Sequence, residues 1–105
     1  MIKVSVLYPN TPGVRFDIGY YCGPHMVLVR ECLGDACKGI AVDQGVAGGA
    51  PGSPAPYVAA GHLFFDSLEA FQNNFGPHAE RIMGDLPNFT DAEPVVQISE
   101  VRMAP

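Results

Sequence analysis

The chain has 105 residues, which is length for one domain, and residues 1–105 are read as a single unit. Its 6 basic and 11 acidic side chains give a net charge of −5 and make up 16% of the sequence, against about 25% in an ordinary soluble domain. The basic residues Lys3, Arg15, Arg30, Lys38, Arg81 and Arg102 are scattered, which excludes nucleic acid as a partner, and no apolar run approaches the roughly 18–20 residues of a membrane span.

Ile2, Val4, Val6 and Tyr8 alternate with Lys3, Ser5 and Leu7, the period of a strand over about 2–8 that Pro9-Asn10-Thr11-Pro12-Gly13 brings to an end. From Asp17, a residue suited to an N-cap, Ile18, Tyr21, Cys22, His25, Val29, Cys32 and Leu33 recur every three or four residues as far as Gly34. That spacing predicts the first helix. Pro24 lacks an amide proton and its ring would meet the carbonyl of Tyr20, so a kink is expected there, eased by Gly23. Ile40, Val42 and Val46 predict a second strand within 37–47. The following Gly48 to Pro56 holds three glycines and three prolines in nine residues, too punctuated for regular structure. Tyr57 to Phe65 reads as a third strand. Asp66-Ser67 opens a second helix with Glu69 placed for a capping box and Leu68, Phe71 and Phe75 as its stripe. Gly76-Pro77 closes it and starts a shorter helix with Ala79, Ile82 and Met83 inward. Glu93 to Arg102 completes the chain as a fourth strand.

Strand, helix, strand, strand, helix, strand is the order of an α+β, ferredoxin-like βαββαβ fold, a four-stranded antiparallel sheet with two helices on one face. In a lone subunit the other face would be polar. The third strand does not comply: Val58, Ala60, His62 and Phe64 point one way and Tyr57, Ala59, Gly61, Leu63 and Phe65 the other. The fourth repeats the pattern, with Val95 and Val101 opposite Val96 and Ile98. The open face is therefore expected to pack on a second copy as a homodimer, which also accounts for the shortage of charge.

Three cysteines, Cys22, Cys32 and Cys37, without paired metal-type spacing read as reduced and mostly buried thiols. The start of the chain has no charged segment followed by an apolar one, and the expectation is a soluble, cytoplasmic protein. Among the histidines, His25 lies on the apolar stripe of the first helix. Its plain reading is a half-buried, hydrogen-bonded side chain; its functional reading is a general acid or base in a pocket between helix and sheet, since imidazole titrates near neutrality. His62 has small neighbours in mid-strand that leave room for a cavity. His78, after Gly76-Pro77, reads as solvated or hydrogen-bonding. The three lie on separate elements without ligand spacing, so no metal is expected. Gly45 to Gly52 lacks the Gly-Lys-Ser/Thr ending of a phosphate loop, and no cofactor is expected. Tyr8, Tyr21 and Tyr57 with Phe64 are candidates to line a pocket for a small hydrophobic or aromatic molecule; ordinary aromatic core packing is the competing reading for each.

Phe16-Asp17-Ile18-Gly19-Tyr20-Tyr21 followed by His25, the Gly-rich segment before Tyr57, and Gly76-Pro77-His78 with Asp91 and Glu93-Pro94 together resemble the EthD family, named for ethyl tert-butyl ether degradation. The resemblance covers nearly the whole chain. It implies a dimeric α+β barrel with the ligand between the sheet and helices of one subunit, as in muconolactone isomerases, small antibiotic-biosynthesis monooxygenases and polyketide cyclases. It also implies a part in xenobiotic catabolism beside oxygenase systems. Bacterial members carry a reductase label, but no nicotinamide or flavin motif is present here. The family pattern has proline two residues after the histidine, where this chain has Val27, while proline precedes the histidine as Pro24.

Two functions are compatible with these residues. One is a cofactor-independent isomerase, lyase or dehydratase in which His25 moves a proton and Tyr57 or His62 steadies the substrate oxygen, with Tyr8, Tyr21, Phe64 and His78 around the ligand. The other is a non-catalytic accessory protein that shelters a small hydrophobic molecule for an oxygenase.

Overall fold

The alternating apolar residues at the start of the chain form strand β1 (Ile2–Pro9). In the computed structural model, which describes all 105 residues, this strand lies inside a four-stranded sheet of order β2-β3-β1-β4, with β2 Gly39–Gln44, β3 Tyr57–Phe65 and β4 Val95–Glu100. Every neighbouring pair is antiparallel: Val4 lies opposite Leu63 and Ile98, Ser5 opposite His62 and Gln97, and Val6 opposite Gly61 and Val96. The two helical stretches cover one face only. This is the ferredoxin-like α+β fold.

The first helical stretch is α1 (Ile18–Tyr20), a π turn (Tyr21–His25) and α2 (Met26–Leu33). Asp17 caps it, its side chain accepting from the Tyr20 amide at 3.0 Å. The kink expected at Pro24 takes the form of this π turn, which lies where the missing amide proton would otherwise break the hydrogen-bond ladder. One extra residue in the turn shifts the phase of α2 relative to α1. Tyr21, His25, Met26, Val29, Cys32 and Leu33 are buried, whereas Cys22, expected on the apolar stripe, is exposed.

Strand β2 is shorter than the expected 37–47, and Val46 is 94% exposed. It ends where Gly45 approaches the Tyr57 carbonyl so closely that a Cβ there would collide with it. The Gly/Pro-rich segment then folds on itself: the Gly48 amide donates to the Ser53 carbonyl at 2.9 Å, and Ser53 Oγ to the Ala50 carbonyl at 2.7 Å. Helix α3 (Leu68–Phe75) is capped by Ser67, whose hydroxyl accepts from the Ala70 amide. Glu69 is thus the second helical residue, one short of the position a capping box needs, and Leu68 is exposed instead of joining the stripe. After a 3-10 turn at Gly76–His78 comes α4 (Ala79–Met83). Strand β4 is also shorter than expected, and Val101 lies beyond it.

The core between helices and sheet is made by Val4, Tyr8, Leu63 and Phe65 from the strands and by Tyr21, Val29, Leu33, Ile82 and Phe89 from the helical side. Full burial of such side chains stabilises by about 1.5–3 kcal/mol each. On the open face Ser5 and His62 lie opposite each other, flanked by Gln97 and Ala41, and Leu7, Val58, Phe64 and Val95 share that face with Lys3, Asp43 and Ser99. Strand β4 is apolar and uncovered on both sides, with Val95 50%, Val96 51% and Ile98 44% exposed. No helix is long and apolar enough to cross a membrane.

Candidate functional site

The helices do not close fully on the sheet. Between them lies a cavity of about 240 Å³, with walls built mainly by Val4, Val6, Leu63, Val29, Phe71 and Ile82. The partly exposed Met83 and Val96 stand at its mouth, beside the uncovered edge strand. Three polar side chains reach it: Tyr8, Tyr21 and His25. Gly61 completes the wall. A Cβ at this position would run into the Tyr21 hydroxyl, so the glycine in mid-strand is the space that this hydroxyl occupies.

His25, 4% exposed, sits in the π turn between aromatic rings, stacked on Tyr21 at a centroid distance of 5.4 Å and tilted against Phe89 at 4.7 Å. Its Nδ1 lies 2.8 Å from Asp85 Oδ2. The other carboxylate oxygen accepts from the Tyr20 hydroxyl and from Asn88 Nδ2, both at 2.8 Å. Asp85 stands at the entrance to a 3-10 turn (Leu86–Asn88) that the chain ties to the start of the first helix: the Asp17 amide donates to the Phe89 carbonyl, the Arg15 amide to the Asp91 carboxylate, and Thr90 Oγ1 to the Arg15 carbonyl. Burial pushes the Asp85 carboxyl up, but the hydrogen bonds from Asn88, His25 and Tyr20, with the charge of His25, outweigh it and hold it below its ordinary value. Its bond to Asp85 in turn raises the Tyr20 phenol.

An ionised Asp85 only accepts, so the Nδ1 hydrogen is the one donated. In the neutral form of the ring, Nε2 carries the lone pair. It makes no hydrogen bond within the protein, and no fully enclosed side-chain nitrogen or oxygen is unpaired, so Nε2 opens on the cavity. An imidazole oriented by a carboxylate through one nitrogen and presenting the other to a pocket is equipped to take and return a proton. The Tyr8 and Tyr21 rings meet edge to face at 5.4 Å, and burial raises both phenols, which keeps them neutral donors.

Of the residues singled out in the sequence, His25, Tyr8 and Tyr21 meet at this cavity. The other four do not. His62 and Phe64 have the opposite parity to Gly61 and Leu63 in β3 and point to the open face; the small neighbour expected to make room beside His62 makes room on the other side of the sheet. Tyr57 begins β3, is 39% exposed and is absent from the cavity wall, and His78 belongs to the turn before α4 and is absent from it as well. These positions remove Tyr57 and His62 from reach of a molecule beside His25. Asp85 carries no signal of its role in the sequence, because it is 60 residues from His25 along the chain and sits in a Gly-Asp-Leu-Pro turn without a motif. No three His, Cys, Asp or Glu side chains converge where a metal ion could be held.

A family model, the EthD domain, matches residues 15–93. The chain belongs to the EthD family. An EthD-like protein from Ralstonia eutropha JMP134 is 46% identical over 99% of this chain and 94% of its own, with a TM-score of 0.94. An ethyl tert-butyl ether degradation (EthD) family protein from Bacillus halodurans C-125 shares 18% identity over 96% of this chain and 98% of its own at a TM-score of 0.72. A protein of Arabidopsis thaliana shares 15% over 100% and 99% at 0.70. The last two are similar in fold. None of the curated proteins matches the chain. The matched EthD residues contain His25, Tyr21, Gly61 and Asp85 but not Tyr8, which β1 contributes from outside the matched stretch.

Proposed function

We propose that this EthD protein binds a small hydrophobic organic molecule in the cavity between sheet and helices, and that His25 carries out cofactor-independent proton transfer on it, in a reaction of the isomerase, lyase or dehydratase type. The observation that carries the reading is the contact of 2.8 Å between His25 Nδ1 and Asp85, with Nε2 left facing an apolar space. An apolar cavity of about 150 Å³ takes benzene; in proportion, 240 Å³ suits a ligand of about ten heavy atoms. Asp85 acts through His25 as a positioning residue.

The test uses small apolar ketones, lactones and alcohols of that size, with products followed by mass spectrometry and NMR. His25→Ala is expected to slow turnover by about 10²–10⁴-fold. Equal turnover by wild type and His25→Ala overturns the acid/base reading. A second reading is favoured by the rest of the cavity wall, which is apolar: the protein shelters a hydrophobic ether or aromatic molecule for an oxygenase. Saturable binding without any turnover by the purified protein selects it.

The open sheet face belongs to the same proposal. Its apolar residues Leu7, Val58, Phe64 and Val95 fit a second copy of the chain, giving a homodimer in which two sheets pack face to face and each subunit keeps its own cavity.

A further inference from the structure

The Tyr8 and Tyr21 rings meet edge to face with centroids 5.4 Å apart, and both residues line the cavity. Neither hydroxyl has a hydrogen-bond partner within the protein and neither is fully enclosed, so both donors are open to a ligand. They face the same space as His25 Nε2 in a wall that is otherwise apolar. A phenol donor in such surroundings makes an electrostatically stronger hydrogen bond than it would in water. The Tyr21 hydroxyl stands in the space vacated by the missing side chain of Gly61. We infer that the Tyr8–Tyr21 hydroxyl pair is the oxygen-binding point of the cavity, that Gly61 is its positioning residue, and that the ligand class is a compact apolar molecule with one carbonyl-type oxygen. The inference rests on the cavity being the ligand site.

Together with the proposed role of His25, it assigns a reaction. Nε2 takes a proton from the carbon next to the carbonyl, the C–H electron pair forms a C=C bond, and the carbonyl π pair moves to the oxygen held by the phenol donor. Return of the proton from the imidazolium to carbon restores the carbonyl, at the same carbon or, in an unsaturated ketone, at a conjugated one. No electrons enter or leave, and the histidine ends as it began.

The test compares acetophenone with α-methylstyrene, in which a CH₂ group replaces the carbonyl oxygen. Dissociation constants are measured by calorimetry on the full chain, together with the infrared stretching frequency of ¹³C-carbonyl acetophenone. Wild type is expected to prefer the ketone by about tenfold and to lower the carbonyl frequency relative to hexane solution. Tyr21→Phe retains the ring packing and is expected to abolish both effects. Gly61→Ala is expected to abolish them by displacing the hydroxyl, and His62→Ala on the opposite face to leave both intact. Equal affinity for the two probes in wild type, or a lowered frequency that persists in Tyr21→Phe, overturns the inference and leaves the cavity reading standing. Binding of neither probe overturns the cavity reading itself and the inference with it.

Discussion

A histidine–aspartate pair lies on each side of the sheet, and the two differ in burial and in which ring nitrogen meets the carboxylate. On the helix side, His25 Nδ1 meets Asp85 at 2.8 Å with side chains 5% and 11% exposed; on the open side, His62 Nε2 meets Asp43 at 3.0 Å with side chains 17% and 70% exposed. His62 also meets Ser5 Oγ at 2.8 Å through Nδ1, so both of its ring nitrogens are engaged within the chain. His25 keeps one nitrogen free. The difference shows why a histidine and a carboxylate at bonding distance do not by themselves make a reactive centre: burial fixes the ring, and an unengaged nitrogen beside a cavity gives it something to act on.

The largest expected effect tests how far the two faces differ in their support. Phe89 is 0% exposed and packs on His25, Tyr21, Tyr20, Tyr8 and Phe16. Phe89→Ala is expected to cost about 3–5 kcal/mol in urea unfolding. Phe64 lies on the open face, opposite Lys3 and Gly39. Phe64→Glu is expected to preserve the far-ultraviolet circular dichroism while reducing the mass seen by light scattering to that of one chain, 11.2 kDa. A wild-type protein that already scatters as one chain at micromolar concentration would sink the homodimer.

A smaller effect compares the aspartates directly. Asp85→Ala leaves the buried Nδ1 hydrogen of His25 without an acceptor and is expected to destabilise by about 1–3 kcal/mol, again by urea unfolding. Asp43→Ala removes one member of a pair that is largely in water and is expected to change stability by less than about 0.5 kcal/mol. Equal costs would erase the distinction between the faces.

This asymmetry was only half legible in the chain. Alternation in β3 was enough to place His62 and Phe64 together on the face opposite Gly61 and Leu63, because the period of a strand is a local property. The succession of strands and helices along the chain and the end of the first helix at Gly34 were legible for the same reason. A pocket between helix and sheet was the functional reading of His25, but its lining was not legible, because it depends on how far the helices stand from the sheet and on a π turn that turns Cys22 out and Met26 in. Nor was the partner of His25: the 3-10 turn holding Asp85 is brought to it by long-range hydrogen bonds between Arg15–Asp17 and Phe89–Asp91. Choosing His62 as a companion to His25 joined two residues by type where the sheet separates them.

The smallest effect is in the acid range, and it isolates the charge on Asp85 from its shape. In the folded protein this carboxyl titrates below the ordinary value of 3.8 because the hydrogen bonds from Asn88, His25 and Tyr20 together outweigh its burial. As pH falls, the unfolded chain therefore takes up this proton before the folded one does. The stability contributed by ionised Asp85 is complete well above pH 3.8, begins to decline as pH falls through that value, and is gone once pH is below the folded pKa. Asp85→Asn keeps the size of the side chain and removes its titration, so urea midpoints measured downward through that window should fall less steeply than in wild type. Parallel slopes for wild type and Asp85→Asn would show that His25 is oriented by the shape of its partner alone, with no contribution from the charge that fixes its Nδ1 proton.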